Sequence, residues 1–231
     1  LRRKINKYTL LEIGDISWSE HVTIFTIPVR VAEQLNIPLI VWGENSQNEY
    51  GGPKEAQLAH NLDKRWLSEF GGLNGLRVRD LVDRGIATSD QLVQYTYPMN
   101  DKAKGIFLGQ YFQWDGRNNA DIAEQHGFEW NKNPVENSGV QYENLDNYQT
   151  GIHDHFKYLK FGFGRATDVI NGYIRRGDRW HWGREKAIAY VLKYDYYDRV
   201  YLSKFVADIL NNIDVSMKEY EAARKQFANK T

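Results

Sequence analysis

The sequence predicts an α/β fold with a helical carboxy-terminal region. Three observations carry this. The apolar run Ile37 to Trp42 follows a helical pattern and ends at Gly43. A second strand-to-helix passage lies in residues 106–126. From Thr150 onward, helical segments follow one another with glycines at the breaks. A short apolar run between helical patterns reads as a strand, and strands alternating with helices pack as α/β layers.

Residues 1–20 have no clear period. Residues 21–35 place Ile24, Ile27, Val31 and Leu35 at helical spacing, and Pro28 argues that this helix starts or bends there. Ile37 to Trp42 then reads as a buried strand, and GENSQNEYGG as the polar loop at its exit. Short helical patterns follow at 55–70 and 77–84 in an inserted lobe. Ile106 to Trp114 predicts another core strand. Asp115 is placed to cap a helix over Arg117 to His126, which Gly127 ends. Residues 128–149, rich in Asn and Glu, read as a connection. Helices are expected at 150–160, 165–176, 184–194, 199–210 and 216–228. In the third of these, Ala187, Ile188, Val191 and Leu192 make a face expected to be buried. The expected division is 1–149, an α/β core with an irregular-helical insertion, and 150–231, a helical region that contributes to the active site.

Composition removes several classes. Thirty basic residues offset thirty acidic ones, so no whole-chain electrostatic footprint points to a nucleic-acid partner. With no cysteine, this segment has no disulfide scaffold, thiolate metal site or cysteine nucleophile. No apolar run approaches the ~18 residues of a membrane span. There is no GxGxxG, phosphate-loop, G-x-S-x-G or H-E-x-x-H pattern, and general hydrolysis has little direct support. Seven Trp, fifteen Tyr and ten Phe supply rings for a core or for stacking on a sugar or base.

Two polar segments are candidate sites. The first is Gly43, Glu44, Asn45, Glu49, Tyr50 and Gly51, beyond the carboxyl end of the first strand, where α/β sheets commonly bind ligands. Glu44 suits a substrate hydroxyl or a phosphate-associated metal, and Asn45 both donates and accepts. A capped, tight loop is the other reading. The second segment is GIHDHFKYLKFGFGRATD, residues 151–168. Lys160 and Arg165 are placed to neutralise phosphate oxygens, with Gly162 and Gly164 allowing close backbone approach. Arg165 and Asp168 are spaced to share a helical face. His153 and His155 form an H-x-H that lacks a complete metal ligand set. Ordinary surface pairs at a helix boundary are the alternative. Trp180, His181 and Trp182 form a ring wall or pack against the next helix.

These two strings, with IRRGD and REKAIAYVLKYD after them, resemble the N-acetyl sugar amidotransferases of bacterial surface-polysaccharide and nonulosonic-acid biosynthesis, from about residue 18 to residue 225. The resemblance implies a partial Rossmann-like core of the ATP-pyrophosphatase (adenine nucleotide alpha hydrolase-like) type. It implies ATP and Mg²⁺ as cofactors, a glutaminase-like partner supplying ammonia, a cytoplasmic location and a role in lipopolysaccharide or O-antigen synthesis. It also implies that an ATP-phosphate loop and a zinc-binding cysteine segment lie upstream of a chain that starts partway. Carried over by motif, Gly43, Glu44, Asn45, Glu49, Tyr50, Gly51, Gly162, Thr167 and Asp168 bind substrate. His153, His155, Lys160 and Arg165 are catalytic, one histidine accepting a proton from ammonia. The two segments are expected to meet across one pocket. A non-catalytic sugar- or nucleotide-binding protein, or another ATP-pyrophosphatase such as an RNA-modifying enzyme, is the alternative.

Overall fold

The computed structural model describes residues 1–45, 73–98, 102–177, 182–195 and 199–229. The chain is α/β, with a small parallel sheet and a helical carboxy-terminal region. It divides into two compact units: Leu1–Tyr8 with Trp18–Trp114, and Thr9–Ser17 with Asp115–Thr231.

Two helices open the chain, α1 (Arg2–Ile13) and α2 (Trp18–Gln34). In the first unit, α2 buries Trp18, Val22, Phe25 and Val29 on one face. The helix runs through Pro28 and starts ten residues before it, so of the start or bend expected at the proline the start is corrected. The packing of that face outweighs the hydrogen bond a proline lacks. Strand β1 (Leu39–Trp42) pairs in parallel with β2 (Lys104–Phe107), from Leu39 opposite Lys104 to Trp42 opposite Phe107. The Trp42 ring lies 5.8 Å from Phe25 and 6.4 Å from Phe107, which fixes the sheet against α2. β1 is only partly buried: Trp42 is inside, while Leu39 and Val41 are half exposed. The second strand ends at Phe107, short of the expected Trp114, because Leu108–Gln110 turns into a 3-10 helix. Among the described residues the unit also holds a short helix, α3 (Val78–Asp83), and a 3-10 turn (Asp90–Tyr95). Thr26 donates to the Gln94 carbonyl, and Arg30 to the Thr96 carbonyl and hydroxyl, pinning that turn to α2.

The second unit contains α4 (Gly116–Gln125), α5 (Thr150–Phe161), α6 (Arg165–Arg175), α7 (Arg184–Tyr194), α8 (Val206–Asn211) and α9 (Met217–Phe227). Asp115 caps α4 as expected, its Oδ1 accepting from Asn118 N at 3.1 Å. Gly162 ends α5 in the left-handed conformation, φ 76°, which costs glycine little. One core joins Leu10 and Ile16 to Ile152 and Phe156 of α5, Val206, Ile209 and Leu210 of α8, and Tyr220 and Ala223 of α9.

Two expectations are corrected here. The helix over 199–210 is replaced by an antiparallel pair, β3 (Val200–Tyr201) and β4 (Lys204–Phe205), with α8 only after it. Leu202 and Ser203 take positive φ, and Glu136 accepts from Leu202 N at 3.0 Å, so the chain reverses where a helix would continue. In α7, Ile188 and Leu192 are exposed, the latter at 77%. The inner face is Ala187, Tyr190 and Tyr194 instead, because the aromatic rings take the packed side.

Candidate functional site

Each unit holds one of the candidate segments. In the first, the parallel sheet brings the exits of β1 and β2 to one edge. The two loops are tied there: Gly109 N donates to the Glu44 carbonyl at 3.0 Å, and Asn45 Nδ2 donates to the Gly109 carbonyl at 2.8 Å. Trp114 Nε1 donates to the Gly43 carbonyl at 3.3 Å. A Cβ on residue 109 would stand 2.7 Å from Asn45 Cβ and 2.9 Å from the Glu44 carbonyl oxygen, so the crossing requires glycine. Asn45 is buried and holds this crossing, whereas Gly43 faces open space. Glu44 is half-buried. Glu49, Tyr50 and Gly51 lie outside the described residues.

The second unit holds the denser network. Arg165 grips Asp154 with two parallel hydrogen bonds, Nε to Oδ2 at 2.6 Å and Nη2 to Oδ1 at 2.8 Å. The Asp154 side chain is 1% exposed. Burial opposes the Arg165 charge, but Asp154 more than restores it, and the guanidinium stays protonated. Lys157 pairs with Asp168. Glu143 lies within electrostatic reach of all four of these groups. Burial pushes its carboxyl up, and its Oε2 has no hydrogen-bond partner among the described residues.

The amino terminus of α6 carries an internal anion. Asp195 accepts from Gly164 N at 2.9 Å, Thr167 N at 3.0 Å and Thr167 Oγ1 at 2.6 Å. Ala166 N donates to the Asn137 carbonyl at 2.8 Å. Three of the amides that a phosphate would use at this helix amino terminus, those of Gly164, Ala166 and Thr167, therefore have partners within the unit.

The two histidines differ in electrostatics. His155 is buried, and its Nε2 accepts from Arg224 Nε at 2.9 Å. Burial and then the neighbouring guanidinium push its pKa down to about 3, so it is a neutral acceptor near pH 7. His153 Nδ1 sits 3.2 Å from Asp15 Oδ1. Burial opposes its charge, but Asp15 outweighs that and raises its pKa above the ordinary value. Lys160 donates to the Ile13 carbonyl at 2.6 Å and lies 5.3 Å over the Phe227 ring. Burial lowers its pKa, with Asp15 acting against the shift.

Of the second segment's residues, Arg165, Thr167 and Asp168 thus have partners around α5 and α6, while His153 pairs with Asp15, Lys160 caps the end of α1, His155 faces α9 and Gly162 ends α5. The sequence reading missed three groups that complete this neighbourhood. Glu143 carried no motif, and Asp195, the last residue of REKAIAYVLKYD, had no recognisable partner in the sequence. A cleft lined by Arg117, Trp130, Tyr142, Tyr173, Trp182 and Tyr190 combines rings from distant segments. Its sequence signals were the high ring count and the ring wall at Trp180, His181 and Trp182, of which Trp182 lines the cleft and the other two lie outside the described residues.

This is an α/β protein with tied strand exits and a helical region built on a buried ionic network. Residues 140–231 match the family model of the LPS biosynthesis protein WbpG-like, C-terminal domain. No curated protein matches the chain. Among the described residues, no helix is long and apolar enough to cross a membrane.

Proposed function

We propose that this chain forms part of an ATP-dependent amidotransferase that converts the acetamido group of an N-acetylated sugar to acetamidino during lipopolysaccharide biosynthesis. The match of residues 140–231 to the carboxy-terminal domain of WbpG-like LPS biosynthesis proteins supports the lipopolysaccharide part of this reading, and the amidotransferase chemistry rests on the sequence resemblance. That span contains the whole Asp154–Arg165 network.

The acetamido oxygen is a poor leaving group. Its attack on the α-phosphorus of ATP forms a C–O–P bond and releases pyrophosphate. Ammonia from a glutaminase partner then adds to the activated carbon, loses protons and displaces AMP, leaving nitrogen where the oxygen was. Mg²⁺ accompanies ATP and offsets phosphate charge; no residue of the chain is assigned to it. The α6 amino terminus does not fit a phosphate while Asp195 fills it. Arg165 instead holds Asp154 and the α5–α6 corner in place. His153, with its raised pKa, is the histidine suited to take a proton from attacking ammonia, and neutral His155 is a structural acceptor.

The test is AMP release. The full-length protein, given ATP, Mg²⁺ and ammonia, should form AMP only when an N-acetylated sugar nucleotide is present. AMP formation that requires RNA and ignores sugars would replace this reading with the RNA-modifying one. Tight sugar or nucleotide binding without AMP would favour a binding protein.

A further inference from the structure

The aromatic cleft of the second unit has a cavity volume of about 320 Å³. This is the small end of ligand pockets, about 300–1,000 Å³, which are mostly apolar with a few placed polar groups. Its rings meet at varied angles. Tyr173 lies 5.7 Å from Trp182 at 30°, Trp182 is edge-on to Tyr190 at 5.1 Å, and Trp130 is edge-on to Tyr142 at 5.4 Å. Each indole carries a cation: Arg117 is 4.5 Å from the Trp130 ring centre, and Lys186 is 4.3 Å from that of Trp182. Such contacts fix the rings before any ligand arrives.

We propose that this cleft seats the pyranose ring of the N-acetylated sugar, a reading that rests on the proposed reaction and gives its substrate a place. The ring faces suit the C–H face of a pyranose. The polar groups are phenols: Tyr142 and Tyr173 share a hydrogen bond at 2.6 Å, and Tyr190 donates to the Ser138 carbonyl at 3.0 Å. A phenol donates and accepts through a rotatable O–H, as a sugar hydroxyl does. A base edge is usually read by fixed amide or guanidinium forks. Here the Gln141 amide donates to the Asn131 and Lys132 carbonyls and Arg117 Nε to Asp121, whereas a phenol oxygen already in a hydrogen bond can still accept one from a sugar hydroxyl. The volume suits one substituted ring and not a whole sugar nucleotide.

Saturation-transfer NMR on this chain tests the assignment, with UDP-N-acetylglucosamine, N-acetylglucosamine and UMP as probes. Saturation should be strongest on the pyranose and acetyl protons. Trp182→Ala should weaken N-acetylglucosamine binding about tenfold, a stacking-sized loss. Tyr173→Phe keeps the ring and should weaken it less, and both chains should show wild-type circular dichroism. If Trp182→Ala does not fold, Tyr173→Phe alone decides. Unchanged sugar affinity in a folded variant, saturation confined to uracil and ribose, or no saturation of any probe overturns the proposal. The two readings fail separately. Cleft-dependent sugar binding without AMP release sinks the reaction alone. AMP release with wild-type KM in the cleft variants sinks the cleft alone.

Discussion

Arg165 and Asp154 form a forked ion pair in which the carboxylate is almost fully shielded from water. Removing one partner of a buried pair leaves the other charge uncompensated, which costs far more than a surface pair contributes. Arg165→Ala should therefore destabilise the chain by about 3–5 kcal/mol. Arg165→Lys, with a point charge in place of the fork, should fall between. Urea denaturation measures both. A wild-type midpoint in Arg165→Ala would mean that the pair is not maintained in solution.

Burial of His155, and then its contact with Arg224, makes stability depend on pH. A histidine unfolded in water titrates near 6.5, whereas folded His155 titrates at about 3. Between those values the unfolded chain binds the extra proton, so stability falls as pH drops below about 6.5 and is fully present above it. His153 acts in the opposite sense. Its raised folded pKa contributes stability below about 6.5 that is lost as pH rises through the folded value. His155→Gln keeps an acceptor for Arg224 without the titration. Its melting temperature should drop less steeply than wild type between neutral pH and pH ~4. Equal slopes would contradict the neutral assignment.

Asp195 supplies the cap that α6 lacks in its own sequence. Asp195→Ala should cost about 1–2 kcal/mol, the loss of a helix cap. It should also open the α6 amino terminus to an external anion. Sulfate should then raise the melting temperature of Asp195→Ala more than that of wild type. The same sulfate response in both chains would argue against an internal anion at this position.

Gly109 lets the two strand exits cross. A side chain there meets Asn45 and the Glu44 carbonyl inside contact distance. Gly109→Ala should cost about 1–3 kcal/mol, as overpacking does. Asn45→Ala, which deletes the hydrogen bond to the Gly109 carbonyl, should cost about 1 kcal/mol. Thermal melts of the two variants should fall in that order.

What could be read from the sequence was local. Asp115 as a cap, Gly162 and Gly127 as helix ends, and the break between α5 and α6 follow from residues a few positions apart. Arg165 stood out in sequence, and its partner Asp154 lies in the same short string. The meaning of the α6 amino terminus did not stand out. Its anion comes from Asp195, separated by 31 residues from Gly164. Glu143 sits in a stretch rich in Asn and Glu that reads only as a connection, and tertiary packing buries its carboxyl. Ile188 and Leu192 misled because periodicity marks an apolar stripe without saying which side of a helix the rings of Tyr190 and Tyr194 will claim.

The most direct measurement follows the nitrogen. The full-length protein is incubated with ATP, Mg²⁺, isotopically labelled ammonia and N-acetylated sugar nucleotides, and products are read by mass spectrometry. The account predicts one labelled nitrogen in the sugar, in place of the acetamido oxygen, for each AMP and pyrophosphate formed. AMP formed with no label in any sugar, or label found in RNA instead, would contradict it.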